Sequence, residues 1–146
     1  MKKIVFLVII CFSYAGTTQA QLFKKKINQY GEDKKRTGWW ISYWDDENNV
    51  YMSKARFEAG EEIGTSKEYH QNGSLRLKFR HQKHRIRVKY YSQDRKLEQK
   101  GWSVLEYNKE DTHYYWHGKW KFYNENRKLI RTAFYQNGEE DISCSE

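Results

Sequence analysis

One spacing constrains this chain more than its composition does: a tyrosine, five polar residues, then a leucine. It occurs at Tyr69 to Leu75, Tyr91 to Leu97 and Tyr123 to Leu129, and one residue longer at Tyr43 to Val50. The spacers are rich in Asn, Asp, Gln, Gly and Ser, residues that tolerate a left-handed backbone or hydrogen-bond within their own turn. Asn72-Gly73 is the strongest of these signals and predicts a type I′ hairpin turn. Each copy therefore reads as two strands around a turn.

The copies also agree upstream. Five residues before each tyrosine stand Gly38, Gly64, Ile86 and Gly118, and two residues further on stand Trp40, Ser66, Val88 and Trp120. A second link recurs, since Phe57 to Gly64 and Phe79 to Ile86 have the same length. Tyr30 to Gly38 looks like the end of a preceding half-copy, and Phe134 to Gly138 closes the series. The intervals between repeat tyrosines are 26, 22 and 32 residues. A lone hairpin is marginal in water, but stacked hairpins cover one another and share ladder hydrogen bonds. Strands are predicted at 22–29, 38–44, 50–57, 64–70, 75–80, 85–91, 97–107, 113–123 and 128–135. A further turn is predicted with Lys109 to Thr112 at its tip. No stretch sustains a helical period, so the expected fold is all-β: a single elongated, curved antiparallel meander of tandem hairpins.

Residues 1–20 are expected to stand outside that fold. Lys2 and Lys3 precede nine apolar residues, Ile4 to Phe12, and Thr18 and Ala20 suit cleavage before Gln21, the pattern of a secretory signal peptide. Such a run is too short to span about 30 Å of hydrocarbon as a helix. Cleavage removes two lysines and no acid, so the formal charge falls from +8 to +6. Residues 21–146 then form one exported domain, expected to be monomeric, with Cys144 as its one cysteine and no internal disulfide. Proline is absent and aliphatic residues are scarce. Tyr and Trp must carry the packing, which suits a thin sheet.

The most unusual chemistry lies in Leu75 to Tyr91. Arg76, Lys78 and Arg80 alternate with apolar residues before His81 to His84, and Arg85, Arg87 and Lys89 alternate with them after it. Period-two alternation sends the six cations to one face. With a four-residue link, Arg80 faces Arg85, Lys78 faces Arg87, and Arg76 faces Lys89. From Arg76 to Lys100 ten basic residues meet only Asp94 and Glu98, a local charge of +8. The plain reading is a solvated face that discourages strand-to-strand aggregation. The functional reading is an anion-binding face for acidic polysaccharide, anionic lipid or an acidic protein.

No other constellation points to chemistry. His113 and His117 lie about 13 Å apart along one strand face, too far to share a metal. His81 and His84 sit in the link with no acid or cysteine beside them in sequence. Glu61-Glu62 and Glu139 to Asp141 fall in links or the tail. No nucleophile elbow, phosphate loop or nucleic-acid motif is present. The chain is expected to be no enzyme, to use no cofactor or metal, and to be a poor nucleic-acid partner. Packing is expected for Trp40 and Trp120, whereas Trp39, Trp44 and Trp102 are left open.

The pattern Gly-x-Trp-x-x-Tyr, a polar turn, a short strand and an aromatic-x-x-Gly link resembles the MORN-repeat variant family of tandem β-hairpin proteins, some described as MORN-like antitoxins. The resemblance covers Tyr30 to Gly138. It is strongest at Gly38, Trp40 and Tyr43 and at Gly118, Trp120 and Tyr123, with Gly64, Tyr69, Gly73, Leu75, Tyr91, Leu97 and Leu129 as further repeat positions. It departs at Ile86 and Val88. The resemblance implies a curved sheet with aromatics on its concave side and a scaffolding role. The expected function is an exported repeat scaffold for a protein or envelope partner; the alternative is a module binding acidic glycan or anionic lipid through residues 76–89.

Overall fold

The computed structural model describes residues 26–107 and 112–144. The expected signal segment with its expected cleavage point, Lys109 to Asp111 of the expected turn tip and the Cys144 side chain lie outside the described residues. Ten strands follow one another: β1 (Gln29–Tyr30), β2 (Arg36–Tyr43), β3 (Tyr51–Glu58), β4 (Glu61–Tyr69), β5 (Leu75–Gln82), β6 (Arg85–Tyr91), β7 (Leu97–Tyr107), β8 (Thr112–Tyr123), β9 (Leu129–Gln136) and β10 (Glu139–Glu140). Each pairs antiparallel with its sequence neighbours in a single meander that is not closed into a barrel. The predicted strands otherwise match this order, but Glu61-Glu62 open β4 and Glu139-Glu140 form β10 instead of lying in links or the tail. Of the predicted first strand, the described residues 26–29 hold only the start of β1 and a bridge from Ile27 to Trp39. There Asn28 takes the place of a strand, its side-chain amide exchanging two hydrogen bonds with the Ile41 backbone at 2.8 and 2.9 Å.

The turns after Tyr30, Tyr69, Tyr91 and Tyr123 share one backbone form, whereas the longer one after Tyr43 closes from Trp44 N to Val50 O at 2.9 Å. In Tyr69 to Leu75, His70 N donates to Ser74 O at 2.8 Å and Gly73 N to His70 O at 2.9 Å. The same pair of bonds closes 92–96, 124–128 and 31–35. Gly73, Arg95, Arg127 and Lys34 occupy the equivalent position, each at positive φ. Asn72 is not at positive φ, which corrects the type I′ expectation: this is the longer hairpin turn, in which a left-handed residue follows the turn proper. The opposite links are tighter than expected. Ala59-Gly60, Lys83-His84 and Asn137-Gly138 are two-residue connections, so His81 and Gln82 belong to β5.

The turns after Tyr43, Tyr69, Tyr91 and Tyr123 each end in a bulge. The register shifts between Ser42 and Tyr43, Glu68 and Tyr69, Tyr90 and Tyr91, and Phe122 and Tyr123. The unpaired residues are Met52, Arg76, Glu98 and Ile130. A second series of irregularities falls at Gly64 and Gly118, which sit at φ +72 and +71. Ile86 replaces that glycine in the middle copy, and there the β5–β6 ladder is unbroken. A Cβ at Gly64 or Gly118 meets nothing within 4 Å, so only backbone strain opposes it. Gly118→Ala is therefore expected to cost about 1–2 kcal/mol, read as a lower urea midpoint at unchanged slope.

The core lies on one face around β5 to β9. Leu77, Ile86, Val88 and Trp120 are its buried members, and Phe79, Tyr90, Leu105, Trp116, Phe122 and Tyr135 pack around them. The apolar side of the basic hairpin thus forms the middle of the core. Trp120 is fully enclosed, stacks on Trp116 with ring centroids 3.8 Å apart, and donates its indole N–H to Trp102 O at 2.8 Å. A smaller cluster of Tyr30, Trp40 and Phe57 covers the β1–β3 end.

Candidate functional site: a lysine row across six strands

Cross-strand pairing places one lysine from each of six consecutive strands in a single row. Lys54 of β3 pairs with Lys67, Lys67 with Lys78, Lys78 with Lys89, Lys89 with Lys100, and Lys100 with Lys121 of β8. Directly paired residues leave the same face of a sheet, so all six project to the side opposite the core. Adjacent strands lie about 4.8 Å apart, which makes the row about 24 Å long.

A second row runs beside it: Thr65, Arg80, Arg87, Trp102 and His117. Five of the six predicted anion-binding residues are therefore on this face, with partners other than those expected. Lys78 opposes Lys89, Arg80 opposes Arg87, and Arg85 opposes Gln82. The two-residue link shifts the register by two, which changes partners but keeps every side chain on its face. Arg76 is the exception. The bulge lets it reach the core face, where its guanidinium pairs with Glu68.

Aromatic rings border the cations. The Arg85 guanidinium lies 4.3 Å from the Trp102 ring centroid and that of Arg87 5.9 Å. Trp102, Arg87, Lys100, Lys119 and Lys121 line a depression of about 290 Å³. On the other side stand the repeat tyrosines. Tyr69, Tyr91 and Tyr123 lie two residues beyond Lys67, Lys89 and Lys121 and so share their face; Tyr43 continues the line past Ile41. The Lys100 ammonium is 5.1 Å from the Tyr123 ring centroid, and that of Lys54 is 3.1 Å from that of Tyr51.

The row is electrostatically uncompensated. Among the described residues the ion pairs are Arg76–Glu68, His81–Glu62 and Arg131–Glu140, and none involves a lysine of the row. Partial burial, and then the charges of Arg87, Lys100 and Lys78, hold the Lys89 ammonium below the usual lysine range.

The core face carries a different feature. A cavity of about 470 Å³ separates the Trp40 cluster from the main core, lined by Arg36, Phe57, Glu62, Phe79, His81 and Tyr114 among others. His81 Nε2 lies 3.0 Å from Glu62 Oε1, which corrects the expectation of a histidine remote from acids. Burial pushes the Glu62 carboxyl up, but His81 and the neighbouring positive charges outweigh it and hold it below the ordinary value. The indole N–H of Trp40 is buried nearby without a hydrogen-bond partner. Among the described residues no group of three or more His, Cys, Asp or Glu side chains is placed to hold a metal ion. Trp44 is exposed, with its N–H on Tyr69 O at 3.0 Å.

Fold and face together describe an open hairpin-repeat sheet with an aromatic core on one side and a cation row on the other. Compared with protein-family models, curated proteins and solved structures, the chain matches none.

Proposed function

We propose that this chain is an exported, non-catalytic binding module that takes a polyanionic component of the cell envelope on its lysine face. The observation that carries this reading is the row itself. Like charges directly opposite on a ladder destabilise it, and a face kept only for solubility can alternate signs and gain stability instead. A same-sign row becomes favourable when an anion fills it. The resemblance to MORN-repeat variant chains, with their scaffolding role, is consistent with a module that binds and does not catalyse.

The test is retention on immobilised heparin. Wild type is expected to bind at low salt and elute as the salt rises, because exposed charges are screened beyond about 10 Å at 0.1 M. Lys67→Gln, Lys78→Gln, Lys89→Gln and Lys100→Gln together should elute near the void, while Arg76→Gln, on the other face, should elute with wild type. Unchanged retention of the fourfold variant overturns the proposal.

The open pocket lined by Phe57, Phe79, Leu105 and Tyr114 favours a second reading, a protein partner on the core face, because it leaves apolar and aromatic side chains for a partner to cover. Its mark is a partner held in a salt-tolerant way that the lysine variants leave untouched.

A further inference from the structure

Building on the polyanion-binding reading, we infer that the ligand is a linear polyuronate, an acidic polysaccharide with one carboxylate on each sugar ring, lying along the lysine row across β3 to β8.

Pitch is the first argument. The row offers one ammonium per strand, and strands are spaced by about 4.8 Å. A 1,4-linked pyranose chain advances by roughly one strand spacing per ring, so about six rings span the row, and because successive rings turn over it directs every second carboxylate at the lysines.

Shape is the second. Strands in a sheet turn by about 20–25° each, so five steps rotate the lysines through roughly 100° from Lys54 to Lys121. A flat lipid surface can meet only a few of them together. A flexible chain can follow the twist and meet all six.

The third argument is the aromatic border. Tyr43, Tyr69, Tyr91 and Tyr123 run parallel to the lysines, on the strands that carry Ile41, Lys67, Lys89 and Lys121. A sugar presents apolar C–H faces that rest on aromatic rings, whereas a phosphate headgroup presents none. The depression beside Trp102, framed by Arg87, Lys100, Lys119 and Lys121, would receive the chain near one end of the row.

The experiment is a titration of the full protein with oligogalacturonates of two to ten rings, followed by calorimetry and tryptophan fluorescence. Phosphatidylglycerol vesicles and a charge-matched DNA duplex form parallel arms. Affinity is expected to rise with ring number and level off near six rings, where the row is filled. The fourfold Lys67→Gln, Lys78→Gln, Lys89→Gln, Lys100→Gln variant should lose on the order of 100-fold or more, while Arg76→Gln loses nothing. Circular dichroism of the variant separates lost binding from lost fold. Vesicles or duplex binding better than a six-ring uronate, or affinity indifferent to ring number, overturns the inference while the polyanion reading stands. Failure of all three anions overturns both.

Discussion

Gly101→Ala is expected to cost a large share of the protein's stability, about 3–5 kcal/mol, although it adds a single methyl group. A Cβ at Gly101 falls 2.3 Å from Cδ2, 2.4 Å from Cε2 and 2.5 Å from Cγ of Trp120. These are atoms of a fused ring, and the ring has nowhere to go. Trp120 is fully buried, stacked on Trp116, and tied through Nε1 to the Trp102 carbonyl. Relief requires either bending β7 away from β8, which breaks the ladder, or expelling the indole. Overpacking alone costs about 1–3 kcal/mol, and losing a buried tryptophan costs about 3–5 kcal/mol, against a typical total of 5–15 kcal/mol. Urea unfolding should show Gly101→Ala close to Trp120→Ala in its effect. The double variant should be less destabilised than the sum, because the methyl then fills part of the cavity left by the ring. A wild-type midpoint for Gly101→Ala shows instead that the ring can shift, and the enclosed stack is then not what fixes the core.

The repeat spacing made most of this architecture readable. Strand order, the recurring turns and the half-copy at Tyr30 all follow from it, because a hairpin signature is local in sequence. Two kinds of feature were not readable. The bulges beside each repeat tyrosine depend on how two strands meet. For that reason Arg76, which alternates correctly in sequence, leaves the basic face in the structure. Gly101 looks like any strand glycine until the partner strand brings Trp120 against it. The lysine row is a different case, because its signal was present. Lys67, Lys89 and Lys121 each lie two residues before a repeat tyrosine, and Lys78 and Lys100 each lie three after a repeat leucine. Reading charge within one hairpin, instead of across equivalent positions of all copies, made the basic face look like a peculiarity of the middle hairpin. It is a property of the repeat.

Neutralising that row is expected to stabilise the protein while removing its affinity for polyanions. The four substitutions at Lys67, Lys78, Lys89 and Lys100 touch every one of the five like-charge pairs in the row. Each such pair costs a few tenths to about 1 kcal/mol, so the variant should gain on the order of 1–3 kcal/mol in urea unfolding at low salt. Added sodium chloride should raise the wild-type midpoint toward that of the variant and move the variant little, since salt screens repulsion that the variant lacks. Alkali should act in the same direction. The folded-state value of Lys89 is depressed, by desolvation first and then by Arg87, Lys100 and Lys78. Its charged form is therefore disfavoured by folding, and wild type should gain stability relative to Lys89→Gln as pH rises from that lowered value toward the ordinary lysine range. A basic face kept against aggregation carries the same self-repulsion, so the stability signs report the repulsion, and the anion is read from the loss of binding. If the fourfold variant is less stable than wild type, and salt does not lift the wild-type midpoint, the lysines are held by favourable contacts and the row carries no mutual repulsion for an anion to relieve.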